Sequence, residues 1–284
     1  MIASTDHPKK AEREFEPLLA VAARIRGRII QLSHQARTPH LGSSLSFVEL
    51  LVYLYWNFLE ISPSQVNSPD RDRFILSKGH GITTLYAVLA ERGFFSPELF
   101  EGYAQEGSPL PEHPSPLCVP GIEAATGSLG HGLSISTGIA LASKMNGIPF
   151  SVVSLLSDGE CNEGSTWEAA LLAPVHKLNN LIAIVDFNKW QATGRSAEVT
   201  ALEPLEEKFE AFGWNSLRID GHDFRQIKSA LETAKDSDKP FAIIADTIKG
   251  KGIKTMEDDN NWHYRIPTKE EVDSAFAELG IESL

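Results

Sequence analysis

The chain has 284 residues, 42% of them hydrophobic and 23% charged, with a formal net charge of −12 and a sequence pI of about 5.2. That acidic balance excludes a broad electrostatic footprint for nucleic acid, which needs basic stripes, and leaves room only for a local basic patch that meets a phosphorylated substrate. The two cysteines, Cys118 and Cys161, form neither a disulfide framework nor a CxxC site, and the polar start MIASTDHPKKAEREFE lacks the apolar core of a secretory signal, so reduced thiols in the cytoplasm are expected.

Residues 1–14 read as a polar extension. Over 11–36, Leu18, Leu19, Ala22, Ile25, Ile29 and Leu32 recur at helical spacing. A turn follows at Thr38-Pro39-His40-Leu41-Gly42-Ser43-Ser44, with Ser44 or Ser46 as the candidate cap of a helix running to about Phe58. The stretch Leu45 to Leu59 is the most hydrophobic in the chain. It is too short for a membrane span and is interrupted by Glu49, so it reads as a buried helix. A loop over 62–70 precedes a short strand, Phe74-Ile75-Leu76, that ends in Ser77-Lys78-Gly79-His80-Gly81. Helices are expected over 82–92 and 97–105. Residues 107–121 hold five prolines and little periodicity, which predicts a long loop of the kind that is often functional. Thr126-Gly127-Ser128-Leu129-Gly130-His131-Gly132 leads into an alanine-rich helix to about Met145.

Two apolar runs, 151–156 and 181–187, follow with a helix between them. The first ends in Ser157-Asp158-Gly159, the second in Asp186-Phe187-Asn188. A carboxylate and a carboxamide therefore stand at the ends of successive strands, where open α/β sheets bind their ligands. Both are oxygen donors of the type Mg²⁺ takes together with phosphate oxygens. Later strands are expected at Ser216–Ile219 and Phe241–Asp246, with helices near 202–212, 223–235 and 269–279. Strands alternating with helices predict a doubly wound, mostly parallel sheet with helices on both faces. No domain boundary is evident, so 1–284 is expected to be a single domain.

The pattern Asp158-Gly159, a helix, then Asn188 resembles the thiamine diphosphate motif, and GECNEGSTWEA resembles transketolase in particular. Ser157 stands where that motif usually has glycine. The resemblance implies a thiamine diphosphate-binding fold with Mg²⁺ (or Ca²⁺ or Mn²⁺) held by Asp158, Asn188 and the backbone carbonyl of Trp190. Gly127, Ser128 and Leu129 match the GSLGHG segment of half-length transketolase-like subunits and, with Gly159 and Glu160, are implied to contact the cofactor. Glu163 and Glu168 match carboxylates that join a network across the subunit interface. His40 in PHLGSSLS, His80 in LSKGH, His113 in EHP and His263 in NWHY match the histidines that line the transketolase channel and relay protons. His131 is a weaker fifth candidate, while His7, His34, His176 and His222 read as structural. Lys249 and Lys251 are as readily a solvated pair as a phosphate contact. Glu112 and Tyr264 stand where full-length transketolases usually have glycine, and the WHYR form resembles the half-length subunits.

The resemblance covers roughly residues 15–280, and no second α/β unit follows residue 250. It implies a split enzyme whose separate pyrimidine-binding subunit supplies the activating glutamate, in an α2β2 assembly that transfers a two-carbon ketol unit between sugars or sugar phosphates. Alternatives are a transketolase of specialised or nucleotide-sugar biosynthesis, an E1-type 2-oxo-acid dehydrogenase or decarboxylase subunit, and a non-catalytic module. A nicotinamide-binding Rossmann enzyme is disfavoured because GSLGHG is not GxGxxG. Neither nucleic acid nor membrane is expected as a partner.

Overall fold

In a computed structural model that describes residues 7–282 apart from Leu117, with side chains from Glu14 onward, the apolar runs become strands. These are β1 (Arg73–Leu76), β2 (Val152–Ser157), β3 (Leu181–Phe187), β4 (Asn215–Asp220) and β5 (Phe241–Asp246). They form a sheet in the order β1-β2-β3-β5-β4, with every pairing parallel.

The central strands read as unbroken apolar runs because both faces are covered. Side chains alternate across a strand, and two separate cores result. On one face Val153, Leu155, Ile182, Ile184 and Ile243 pack with α1 (His7–Ala36), α3 (Val48–Tyr53), α4 (Ile82–Glu91) and α9 (Phe224–Lys235). On the other, Val152, Leu156, Leu181, Val185 and Ile244 pack with α5 (Gly132–Asn146), α6 (Gly164–Val175) and α8 (Leu205–Ala211). This is the doubly wound arrangement that the alternation of strands and helices predicts.

Register brings the strand ends level. Ser157 pairs with Asp186, and Phe187 pairs with Asp246. The residues that leave β2, β3 and β5, namely Asp158, Asn188 and Thr247, therefore emerge along one edge of the sheet.

Several boundaries differ from expectation. The first helix already begins at His7, so residues 7–14 of the expected polar extension join α1, while 1–6 lie outside the described residues. The helix expected after Ser44 or Ser46 divides into α2 (Leu41–Leu45), α3 and a π-helical turn at Leu54–Phe58. Neither serine caps it. The Ser44 hydroxyl meets Thr83 Oγ1 at 3.0 Å, and the Ser46 hydroxyl reaches the Ser43 carbonyl and Asp186, because both residues are buried against other segments. The expected helix at 97–105 is a 3₁₀ turn, Pro97–Gly102. A short helix α7 (Ser196–Val199) was not expected. The last helix, α10 (Lys269–Leu279), starts at a capping box between Thr268 and Glu271 and ends at Gly280 in the left-handed region. Among the described residues, no helix is long and apolar enough to cross a membrane.

Candidate functional site at the carboxyl edge of the sheet

Asp158 leaves β2 completely buried. One oxygen accepts the Gly159 N–H at 2.8 Å, the other the Ser196 hydroxyl at 2.7 Å. Burial, with the Asp186 charge nearby, raises its carboxyl to about 6. Gly159 opens a 3₁₀ turn, Gly159–Asn162, and α6 begins only at Gly164. The expectation that Gly159 starts the following helix is therefore corrected, and its N–H is already held by Asp158.

Asn188 is buried after β3. Its Oδ1 accepts the Trp190 N–H at 3.1 Å and its Nδ2 donates to Asp186 Oδ2 at 3.3 Å. Lys189 between them is left-handed, with φ 70°, which curls the Trp190 backbone back toward Asn188. The Trp190 ring lies under the Arg195 guanidinium at 3.8 Å and donates to Asp258 at 2.8 Å.

Ser157 and Glu160 explain the missing motif glycine. The Ser157 hydroxyl accepts the Glu160 N–H at 3.2 Å, and a Glu160 oxygen accepts the Ser157 N–H at 3.3 Å, which is the reciprocal geometry of a capping box. The other Glu160 oxygen accepts the Ser77 hydroxyl and the Gly130 N–H, the latter at 2.8 Å. Glu160 thus ties the ends of β1 and β2 to the 127–132 loop, and both its oxygens are engaged within the protein. The signal was present in the sequence as Ser-x-x-Glu over 157–160.

In that loop Gly127 has φ 134°, and an added Cβ would lie 2.6 Å from His113 Cδ2. A Cβ on Gly132 would lie 2.1 Å from Ser77 Oγ. Both glycines permit approaches that no other residue allows.

Four of the expected histidines converge. Ring centroids are 4.9 Å apart for His40–His263, 5.3 Å for His40–His80, 6.0 Å for His80–His263 and 6.3 Å for His40–His113. His40 adopts a left-handed backbone, φ 69°, and its N–H donates to the His263 carbonyl at 2.8 Å. Such a conformation is uncommon outside glycine and concentrates at functional sites. His131 lies outside the cluster, exposed, with Nδ1 3.2 Å from the Leu129 carbonyl. Glu163 and Glu168 lie exposed on α6, on the same helix as the exposed apolar side chains of Leu171, Leu172 and Val175.

Burial first, then neighbouring positive charge, holds His40 at about 4 and His263 at about 3, and holds His80 well below the ordinary value. The unfolded chain takes up these protons near 6.5, whereas the folded chain remains neutral to much lower pH. The unfolded state therefore binds more protons in that window, and stability falls as pH falls. The contribution is complete above pH 6.5 and is lost progressively toward pH 4. The Tm of the isolated chain is expected to drop by several degrees between pH 7 and pH 5, and a His40→Gln, His263→Asn variant should show a shallower slope. Equal slopes in both proteins would contradict neutral, buried imidazoles.

Two lysines and an aspartate complete the site, and sequence reading gave none of them this weight. Asp186, fully buried, accepts from Ser46, Thr247, Asn188 and Lys78 Nζ, the last at 2.5 Å. Lys78 also reaches the Ser43 carbonyl at 3.0 Å and lies 4.3 Å from the Phe47 ring centroid. Lys249 is equally buried, yet it contacts only Asn260 Oδ1 at 2.7 Å and His263 Nδ1 at 3.0 Å. Among the described residues no carboxylate pairs with it. Lys251, by contrast, pairs with Glu257 near the surface.

The donor set fits a metal-bound diphosphate. Among the described residues no three His, Cys, Asp or Glu side chains converge on one point. A site of one carboxylate, one carboxamide and a backbone carbonyl leaves further positions to ligand oxygens, as Mg²⁺ prefers. Buried polar capacity is left over nearby: His40 Nδ1 and Gln191 Nε2 have no partner within the protein, and the Lys249 ammonium has no counter-charge.

Comparison with known proteins agrees with this geometry. Residues 19–283 match the family described as transketolase, thiamine diphosphate binding domain. A half-length relative from Actinobacillus succinogenes, one of the two chains of an apulose-4-phosphate transketolase, is 40% identical over 268 residues, covering 93% of this chain and 96% of the relative. The 6-deoxy-6-sulfo-D-fructose transketolase subunit of a Clostridium species is 44% identical over 241 residues, covering 84% and 88%. The crystal structure of Campylobacter jejuni transketolase superposes with a TM-score of 0.89 at 32% identity; 93% of this chain spans only 43% of that one.

Proposed function

The chain belongs to the transketolase family as its thiamine diphosphate-binding domain, and from that premise we propose that it is one subunit of a split transketolase that moves a two-carbon ketol unit from a ketose to an aldose. The observation that carries this reading is the convergence of four imidazoles beside a buried, unpaired ammonium and the Asp158–Asn188 edge.

Asp158, Asn188 and the Trp190 carbonyl would hold Mg²⁺, with Ca²⁺ or Mn²⁺ as substitutes, and Lys249 would meet the diphosphate. When bound, thiamine diphosphate supplies a nucleophilic carbon that cleaves and re-forms bonds next to a carbonyl. The protein's part is orientation and proton movement. A protonated Lys249 can only donate, so His263 Nδ1 accepts and the ring proton sits on Nε2. The neutral imidazoles of His40, His80, His113 and His263 suit hydrogen bonds to sugar hydroxyls and the transfer of their protons. Gly127, Ser128 and Leu129 would pass their backbone close to the cofactor, with Glu160 holding that loop in place.

A partner polypeptide would supply the glutamate and pocket for the aminopyrimidine, in an α2β2 assembly consistent with closed symmetry. The α6 face carrying Glu163, Glu168, Leu171, Leu172 and Val175 offers an apolar surface for protein contact. A cytoplasmic setting suits the two free thiols.

The specialised-sugar reading is favoured over the common sugar phosphates by the names of the half-length relatives and by Tyr264. That ring is exposed and lies 4.7 Å from His263 and 6.3 Å from His40, where the family usually has glycine.

Calorimetric titration of Mg²⁺ and thiamine diphosphate tests the proposal, first with this chain alone and then with the partner chain. Binding is expected to depend on magnesium and to tighten with the partner, and turnover to require both chains. Turnover by the isolated chain would overturn the split arrangement. Absence of binding in both states would favour a non-catalytic module, and acceptance of pyruvate a 2-oxo-acid enzyme.

A further inference from the structure

His222 sits in the turn between β4 and α9, and both its ring nitrogens are engaged. Nε2 accepts the Ile248 N–H at 2.9 Å, and Nδ1 lies 3.0 Å from Glu49 Oε2. A backbone N–H can meet only an acceptor, so Nε2 is unprotonated and Nδ1 carries the proton donated to Glu49. Glu49 is buried in α3, and both its oxygens also accept from Arg26 Nη2, at 2.6 and 2.8 Å. Burial pushes its carboxyl up, but Arg26 and His222 outweigh that and hold it at about 2. Arg26 Nε then donates to the Lys251 carbonyl at 2.8 Å.

The triad therefore grips the backbone at two atoms, Ile248 N–H and Lys251 C=O, one on each side of Lys249. The Lys249 carbonyl is held separately by the Asp258 N–H at 2.8 Å, and the Gly250 N–H by the Gly42 carbonyl at 2.9 Å. An ammonium buried without a counter-charge tends to turn toward water unless its backbone is fixed.

We infer that His222, oriented by Glu49 and Arg26, is a positioning residue that fixes the backbone flanking Lys249 and so presents its ammonium to the cofactor diphosphate. The inference rests on the proposed contact between Lys249 and the diphosphate. His222 itself touches neither cofactor nor substrate; it acts through another side chain, as outer partners of ligand residues do.

Two readouts test it. The first is amide hydrogen exchange across 247–253 in the free chain. The second is Mg²⁺–thiamine diphosphate titration of the chain with its partner. His222→Phe, which removes both hydrogen bonds at similar size, is expected to speed exchange at Ile248 and to weaken cofactor binding by about tenfold, the scale of losing an outer partner. His222→Gln, which keeps one donor and one acceptor, should recover part of both effects and serves as the folded variant if the phenylalanine form does not fold. In a Lys249→Met background His222→Phe should cost nothing further, because the two residues act as one unit. A merely structural histidine would instead add its full cost in that background, and additivity would overturn the inference. Faster exchange with unchanged binding would also overturn it, leaving the cofactor role of Lys249 intact. Lys249→Met binding cofactor like the parent chain would overturn the Lys249 contact, and with it the inference.

Discussion

Asp158→Asn is expected to reduce magnesium-dependent binding of thiamine diphosphate by roughly a hundredfold or more, the scale of removing one charge from a buried, hydrogen-bonded pair, while leaving the free chain folded. Asparagine keeps an oxygen for the Gly159 N–H, and the Ser196 hydroxyl can rotate to accept from the new amide. What is lost is the one negative charge among the proposed protein donors. A neutral amide cannot replace it, because the cation has to be drawn out of water against the cost of shedding its own hydration shell.

Stability should move the other way. The Asp158 carboxylate is fully buried, and no cation touches it in the free chain, whereas Asp186 has Lys78 at 2.5 Å. An ionised group buried without a partner costs free energy. The Tm of free Asp158→Asn at pH 7.5 is expected to equal or exceed that of the parent. Added Mg²⁺ and thiamine diphosphate, with the partner present, should raise the Tm of the parent and not of the variant. A variant that binds the cofactor normally would remove Asp158 from the metal site. A variant that binds poorly but is also unstable would point to a structural role in the turn after β2.

How much of this was visible in the sequence varies by element, for physical reasons. Leu181–Phe187 and Phe241–Asp246 appear as strands at their expected bounds because each is covered on both faces, and a continuous apolar run between polar turns is what such burial demands. The last helix was legible from its periodicity, and its Thr268-x-x-Glu271 box and Gly280 punctuate it. The Ser44 and Ser46 caps failed because those hydroxyls are drawn to Thr83 and Asp186, distant in sequence, and local propensity has no access to such contacts.

The site divides in the same way. Asp158 and Asn188 could be reached from strand context alone, because polar residues ending apolar strands fall on the ligand-binding edge. The four histidines could not: each stands in an unremarkable loop, and only family resemblance brought them together before the structure did. Lys78, Asp186 and Lys249 had no local signal, since a charged residue next to a strand reads as solvated. Lys78 and Asp186 are 108 residues apart, and only the parallel sheet places their side chains in contact.

Lys249→Met is expected to weaken cofactor binding at pH 7 by about a hundredfold, through loss of a charge-assisted contact in a desolvated site. Its pH signature separates this from a packing defect. Burial, with Lys78 next, lowers the Lys249 ammonium to about 8 against an ordinary 10.5, despite the opposing pull of Asp158 and Asp186. The group that meets the diphosphate is thus charged below pH 8 and loses its proton above it. Cofactor affinity of the parent should fall as pH rises through 8, approaching tenfold per unit, while Lys249→Met, already weak, should show no such limb. The free chain gives the complementary sign. Between pH 8 and 10.5 the unfolded state binds the proton that the folded state has released, so this group makes stability rise with pH across that window. The rise should be absent from the methionine variant. The variant's Tm at pH 7 should match or exceed the parent's, because an apolar side chain of similar length replaces a buried charge that has no carboxylate partner. An alkaline limb that persists in the variant would assign the titration to another group and leave Lys249 a packing residue.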